Sequence, residues 1–142
     1  MKEKVNVAWT GKMAFDASVG DHTITIDADP EVGGERRGPK PKLLLMVALG
    51  GCTGMDVVSI LKKMRVDFER FEVEVEGDID EIHPKKYNKI IIRYMLEGND
   101  IPADKVQKAV KLSEENYCGV SATLRNCVEM KSEIWLNGQM AR

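Results

Sequence analysis

One long, nearly uncharged stretch limits the folds that are open to this chain. Between Leu43 and Leu61 the only charged residue is Asp56. Apolar side chains fall on nearly every face of the corresponding helical wheel, which is typical of a buried helix rather than a surface one. At 1.5 Å per residue, the segment 42–65 would be about 36 Å long, enough to cross a small domain. The sequence therefore predicts a long buried central helix with the rest of the chain arranged around it.

The same stretch is long enough to be considered as a membrane span. Asp56, near its centre, would cost roughly 2.5–3.5 kcal/mol to insert into a bilayer. Thr53, Ser59 and the glycines of the stretch add no apolar gain, and the rest of the chain has the pattern of a soluble protein. We therefore predict a buried core helix and no membrane partner.

Length and charge restrict the class of protein further. The 142 residues fit one domain, residues 1–142. A net charge of −2 gives no electrostatic footprint for nucleic acid. The N-terminus lacks a basic segment followed by an apolar one, so we expect a cytoplasmic protein. In that reducing compartment three cysteines indicate thiol chemistry or plain burial, and not a disulfide framework.

Alternating apolar residues predict short strands on both sides of the long helix. Three antiparallel strands come before it, and the second helix begins at Pro102. The acidic residues between 72 and 78 are predicted to face solvent. The resulting order, βββ-α-ββ-α-β, is an α+β fold in which antiparallel sheets pack on the long helix. The predicted strands are 4–9, 13–19, 22–27, 71–79, 90–97 and 130–136.

Cys52 lies near the middle of the long helix, among three glycines. Gly50, Gly51 and Gly54 each cost roughly 1 kcal/mol of helix stability relative to alanine. Such a cluster indicates close approach by another backbone or by a substrate, although a tight helix crossing beside an inert cysteine would explain it equally well. Cys118 follows the second helix, and two helices on one face of a sheet could bring the two thiols together.

Other kinds of site have little support. The three cysteines and two histidines show none of the close pair spacings of zinc sites, so no metal site is predicted. The segment from Gly50 to Gly54 has neither the spacing of a phosphate-binding loop nor a preceding strand. We therefore predict no cofactor.

Three motifs together resemble one known family. They are PKLLL at 41–45, ALGGCT at 48–53 and YCGVSATL at 117–124. This combination looks like the OsmC/Ohr family, the osmotically induced and organic hydroperoxide resistance proteins. The similarity covers almost the whole chain, including the order of its elements.

The resemblance implies an intertwined homodimer with active sites at the subunit interface. It also implies a thiol-dependent peroxidase that reduces organic hydroperoxides in oxidative stress defence. Cys52 would be the peroxidatic cysteine and Cys118 the resolving cysteine. The reductant would be a thiol or dithiol, since some family members are reduced through lipoylated proteins. Cys127 has no counterpart that we can assign, and we expect it to be a packing residue.

The chain differs from the best-studied members in the residues that accompany the reactive thiolate. Those members use an arginine in the early strand–turn region and a glutamate ten residues before the cysteine. Here these places hold Lys12 and Lys42, which resembles the YhfA-like branch. Burial disfavours a thiolate, so Cys52 needs a cation or donor nearby. The candidates are Lys12, Arg36, Arg37 and Lys42, although Lys42 is about 15 Å along the helix from Cys52 and would have to come from the partner chain.

Two other interpretations remain open at this point. In one, the protein is a non-enzymatic dimer that binds a small hydrophobic ligand in an apolar pocket. Methionines such as Met46, Met55 and Met64 would line this pocket. The cysteines would then be inert or would sense redox state. In the other, the dimer carries out no chemistry.

Overall fold

The computed structural model describes residues 1–141 and divides the chain into two compact units. The first unit comprises Met1–Leu45, and the second begins at Met46. The single domain predicted for residues 1–142 stays a prediction.

The first unit is built on a three-stranded antiparallel sheet. Its strands are β1 (Asn6–Gly11), β2 (Ala14–Val19) and β3 (His22–Ile26), in that order across the sheet. This confirms the three predicted strands, with boundaries that differ by one or two residues.

A buried carboxylate fixes the loop that follows β3. Asp27 accepts hydrogen bonds from the backbone N–H groups of Ala28 at 2.7 Å, Glu35 at 3.2 Å and Arg37 at 3.1 Å. The bonds from Ala28 and Arg37 are the main reason why the pKa of Asp27 is lower than usual. The loop from 28 to 37 is therefore held by its backbone, although its arginine side chains remain at the surface.

The sheet of the second unit contains both parallel and antiparallel pairs. Strands β4 (Arg70–Ile79) and β5 (Tyr87–Glu97) are antiparallel, whereas β5 and β6 (Glu129–Leu136) are parallel. A short strand β7 (Gln139–Met140), which the sequence did not predict, pairs antiparallel with β6. The predicted antiparallel pairing is therefore confirmed for the described strands except between β5 and β6, where the helical segment carries the chain back so that both strands run the same way.

One face of this sheet forms the core of the second unit. Ile90, Ile92 and Tyr94 on β5 are each at most 1% exposed. The predicted alternation is confirmed, since the apolar positions of β4 and β6 are packed against the same cluster. The opposite face carries the acidic run of β4, where Glu74 and Glu76 each contact Arg93 at 2.6 Å.

Three α-helices accompany the sheets within residues 1–141. Helix α1 (Pro41–Lys63) is the predicted long helix, and α2 (Ala103–Leu112) is the predicted second helix. After α2 the chain makes one wider helical turn, Ser113–Tyr117, and then forms a short helix α3 (Gly119–Leu124). Cys118 therefore lies between two helical segments, whereas the sequence predicted only a turn after the second helix.

Only one side of α1 is buried in the single chain. Leu49, Thr53 and Val57, spaced four residues apart, are fully buried. The opposite side presents Val47 and Met55, with exposed fractions of 65% and 76%. Burial on every face is therefore not confirmed, and an apolar side of the helix is left uncovered.

Two of the three predicted close approaches are made by β4. A Cβ atom on Gly50 would lie 3.0 Å from a methyl group of Val75, and one on Gly54 would lie 3.4 Å from a methyl group of Val73. A Cβ atom on Gly51 would have no neighbour within 4 Å. Gly50 and Gly54 thus let α1 lie close against the sheet, whereas Gly51 belongs to the uncovered side.

By length and composition, α1 is the one helix within residues 1–141 that could cross a membrane. Core helices of soluble proteins meet the same criterion, so this property is weak evidence for a span.

Candidate active site

The structure brings the two predicted cysteines together and adds a carboxylate. Cys52 Sγ, Cys118 Sγ and a carboxylate oxygen of Asp56 all lie within 4.8 Å of one another. Both thiols are free, Cys52 being half-buried and Cys118 buried. The site therefore has one thiol that solvent can reach and a second thiol directly behind it.

Cys52 and Asp56 share one side of α1 because they are four residues apart, about one helical turn. Cys118 is placed by the wide turn after α2. Its backbone N–H donates a 2.7 Å hydrogen bond to the carbonyl of Ser113, and its carbonyl accepts one of 3.0 Å from Ala122. Wide turns of this type carry one extra residue and occur frequently at functional sites.

The surroundings of Cys118 favour the protonated thiol. Burial is the largest effect and raises the pKa of Cys118, and the neighbouring Cys52 raises it further. Ser121 opposes this, since its side chain and its backbone N–H, which donates a 3.4 Å hydrogen bond to Cys118 Sγ, both favour the thiolate. The net pKa is raised, so Cys118 remains a thiol at neutral pH.

A chain of buried hydroxyl groups ends at Asp56. Thr53 Oγ1 lies 2.7 Å from the Tyr94 hydroxyl and 2.8 Å from Ser113 Oγ. Ser113 Oγ in turn donates a 3.0 Å hydrogen bond to Asp56 Oδ2. Ser113 gives its one hydrogen to the carboxylate, so Thr53 is the donor to Ser113. The Tyr94 hydroxyl at the far end of the chain also donates a 3.4 Å hydrogen bond to Glu114 Oε1. This chain fixes the Asp56 side chain beside the two sulfurs.

The Tyr94 hydroxyl is protonated in this chain. Burial raises its pKa well above the usual value, and the nearby Glu114 and Cys118 add to the effect, while the hydrogen bond with Thr53 opposes it. The phenol therefore stays protonated at neutral pH, and it is not a candidate nucleophile.

A cavity of about 330 Å³ opens beside Asp56. It follows the next two turns of α1 to Lys63, and most of its other side chains are apolar or aromatic. This volume is within the range of small-ligand sites. The cavity gives a small apolar molecule a route to the carboxylate next to the thiols. Its lining residues are Asp56, Ser59, Ile60, Lys63, Met64, Leu112 and Tyr117.

The predicted cationic partners belong to the first unit. Lys12 forms an ion pair with Glu35, and Arg36 forms one with Asp29 at 3.2 Å. The remaining two candidates are Arg37, whose backbone is bound by the buried carboxylate of the loop, and Lys42, in the first turn of α1. A role for these four cations at Cys52 stays a prediction, and the charged group that accompanies the thiols in the second unit is a carboxylate.

The sequence did not single out Asp56 as a neighbour of the thiols, although its spacing of four residues from Cys52 was visible. Thr53, Tyr94 and Ser113 gave no comparable signal, because their contacts join residues 41 and 60 positions apart. The prediction that Cys127 is a packing residue is wrong, since its side chain is exposed.

Comparison with known proteins assigns the chain to a family. The pattern of the OsmC-like protein family matches residues 33–133. Protein YhfA of Escherichia coli K12 is 32% identical over 128 residues, which are 89% of this chain and 92% of YhfA.

Solved structures agree with this assignment. A hypothetical protein from Aquifex aeolicus has a TM-score of 0.85 and 31% identity, with 96% of this chain and 97% of that one covered. An organic hydroperoxide resistance protein OsmC from Legionella pneumophila shares the fold with a TM-score of 0.71 at 13% identity, over 95% of this chain and 97% of that one. The chain described here belongs to the OsmC-like protein family, with YhfA among its relatives.

Proposed function

We propose that the protein is a thiol-dependent peroxidase that reduces organic hydroperoxides. The observation that carries this proposal is the pair of free thiols within 4.8 Å, one half-buried and one buried. Family relatives with the same fold include proteins named for organic hydroperoxide resistance. We further propose a defensive role in oxidative stress and a cytoplasmic location.

In the first step Cys52 reduces the peroxide. The Cys52 thiol gives its proton to Asp56, and the thiolate attacks the terminal oxygen of the hydroperoxide. An S–O bond forms as the O–O bond breaks, and the departing alkoxide takes the proton back from Asp56. The products are the Cys52 sulfenic acid and an alcohol, so sulfur is oxidised by two electrons and the peroxide is reduced by two.

In the second step Cys118 resolves the sulfenic acid. The Cys118 sulfur attacks the oxidised sulfur of Cys52, and a disulfide forms with release of water. A thiol or dithiol reductant, such as a lipoyl group, then opens the disulfide and restores both thiols. Cys118 suits this second role because it is buried behind Cys52 and remains a thiol until the sulfenic acid has formed.

We also propose that the protein acts as a homodimer. Val47, Gly51 and Met55 form an open stripe along α1, opposite its buried side. A second copy of the same helix would cover this stripe, and Gly51 would allow the two helices to approach closely. An arginine or lysine of the partner chain would then accompany the Cys52 thiolate.

Organic hydroperoxides should react faster than hydrogen peroxide. The cavity beside Asp56 presents Ile60, Met64 and Leu112, and each methylene of substrate buried there contributes about 0.8 kcal/mol. Four such groups would favour cumene hydroperoxide over hydrogen peroxide by roughly 200-fold. Stopped-flow measurement of Cys52 oxidation gives both second-order rate constants, and equal constants would contradict the apolar-pocket mechanism.

Replacing Asp56 by asparagine should slow the first step by about 100-fold or more, because a positioned acid–base group contributes about 10²–10⁴-fold. Asparagine keeps the size of the side chain and can still accept a hydrogen bond from Ser113. The matched control is Asp78→Asn, which alters an exposed carboxylate on β4.

A comparison of two substrates tests whether Asp56 gives a proton to the leaving group. With tert-butyl hydroperoxide the leaving alkoxide needs a proton, whereas the carboxylate that leaves from a peroxycarboxylic acid does not. The effect of Asp56→Asn should therefore be much larger for the first substrate. An equal loss with both would mean that Asp56 does not protonate the leaving group and acts only on the Cys52 thiol, as its base or by positioning it.

A second candidate function is non-enzymatic: a dimer that binds a small hydrophobic ligand or senses redox state. The cavity of about 330 Å³ favours it, because Ile60, Met64 and Leu112 provide an apolar lining. Multiple turnovers with a dithiol reductant distinguish the two functions. A single oxidation without turnover would favour the redox sensor.

A further inference from the structure

Three atoms that can bind a metal ion lie close together in the second unit, although the spacing of their residues in the sequence matches no zinc motif. They are the sulfurs of Cys52 and Cys118 and a carboxylate oxygen of Asp56, mutually within 4.8 Å. From this geometry we propose that the reduced protein binds one Zn²⁺ ion through these three side chains. This inference depends on the geometry of the site and does not require peroxidase activity.

The distances suit tetrahedral zinc. With Zn–S bonds of about 2.3 Å, two sulfur ligands lie about 3.8 Å apart, and a carboxylate oxygen lies somewhat closer to each. The side chains therefore need to move by no more than about 1 Å to close around an ion. Small changes in side-chain rotation can supply this, since Cys52 and Asp56 are only half-buried.

The ligands already have supporting partners. Ser113 donates a hydrogen bond to the carboxylate of Asp56, and the N–H of Ser121 donates one to the sulfur of Cys118. Partners of this type orient metal ligands and strengthen binding. The buried hydroxyl of Ser121 is a further donor group beside the sulfur of Cys118.

The donor set selects the metal. Two thiolates and one carboxylate suit Zn²⁺, whereas Mg²⁺ and Ca²⁺ require sites composed of oxygen atoms. Three protein ligands leave a fourth position for water. Because the ion would occupy both sulfurs, zinc binding and a Cys52–Cys118 disulfide exclude each other. Zinc would thus protect the reduced pair, and formation of the disulfide would release the ion.

The test uses the full chain, reduced and freed of metal under anaerobic conditions. One equivalent of Zn²⁺ per chain should remain bound after gel filtration, and competition with a chromophoric chelator should give its Kd. Cys52→Ser and Cys118→Ser should each raise the Kd by more than 100-fold. Loss of a residue that only hydrogen-bonds to a metal ligand typically raises the Kd by about 10–100-fold. Asp56→Asn should raise it at least tenfold, and Cys127→Ser should leave it unchanged.

A second measurement uses the unaltered sequence, so it does not depend on the folding of any variant. Zn²⁺ should slow alkylation of Cys52 by N-ethylmaleimide at least tenfold, while the exposed Cys127 reacts at the same rate with and without the ion. Mass spectrometry reports both sites in one sample.

Substoichiometric binding, an unchanged Kd in Cys52→Ser, or equal alkylation with and without zinc would overturn the proposal. Zinc binding without peroxide turnover would reject the peroxidase and leave the metal site standing. Turnover without zinc binding would do the reverse.

Discussion

Replacing Cys52 by serine is expected to abolish hydroperoxide reduction, with a fall of at least 1,000-fold, equivalent to about 4 kcal/mol of transition-state stabilisation. A serine hydroxyl is not ionised at neutral pH and cannot accept the peroxide oxygen through a sulfenic acid. Turnover of cumene hydroperoxide with a dithiol reductant measures the effect.

The partner variant Cys118→Ser should behave differently. It still forms the sulfenic acid, but without a resolving thiol Cys52 should advance to sulfinic acid in excess peroxide. Mass spectrometry should therefore detect a gain of two oxygens on Cys52 in this variant, and a Cys52–Cys118 disulfide in the unaltered protein.

The control for both experiments is Cys127→Ser, which removes the exposed thiol and should leave turnover unchanged. A disulfide between Cys52 and Cys127 only, or no disulfide after peroxide treatment, would contradict the two-cysteine mechanism. Full activity in Cys52→Ser would place the chemistry elsewhere.

Replacing Met55 by glutamate is expected to separate the proposed dimer. In the single chain this side chain is 76% exposed, so an isolated monomer should tolerate the charge within about 0.5 kcal/mol. In an interface formed by the stripe of Val47, Gly51 and Met55, the charge would be desolvated. The dimer dissociation constant should rise at least 100-fold, or about 2.7 kcal/mol.

Sedimentation equilibrium at low micromolar concentration measures this effect. The unaltered chain and the matched control Met55→Leu should both sediment at twice 15.9 kDa. Met55→Glu should approach the mass of the monomer while its circular dichroism remains that of a folded chain. The dimer interface that buries this stripe should bury more than about 2,000 Å² of surface in total and be largely apolar. A folded 15.9 kDa monomer for the unaltered chain would remove both the interface and the shared-site mechanism.

Local patterns in the sequence were sufficient for most elements of the fold. Alternation in β5 identified the buried face with Ile90, Ile92 and Tyr94, because side chains on a strand point to opposite faces in turn. The uncharged run around Cys52 identified α1. Its burial on every face stays a prediction, because one sheet covers one side of a helix and the other side depends on a second copy of the chain.

The parallel pairing of β5 and β6 could not be read from the strands themselves. Both strands alternate in the same way whether they pair in parallel or antiparallel, so the path of the intervening chain decides the direction. That path runs through α2, the wide turn at Ser113–Tyr117 and α3, and the extra residue of the wide turn leaves no clear mark in the composition.

The sequence by itself determined that Cys52 lies in the middle of a long apolar helix and that Cys118 follows a second helix. It also placed Asp56 one turn after Cys52, since helical spacing is a local property. Only the tertiary structure decided that Cys118 lies behind Cys52 and that Ser113 holds the Asp56 carboxylate beside both thiols. These contacts join residues far apart in the chain, and their geometry depends on how the wide turn packs against α1, which no local pattern specifies.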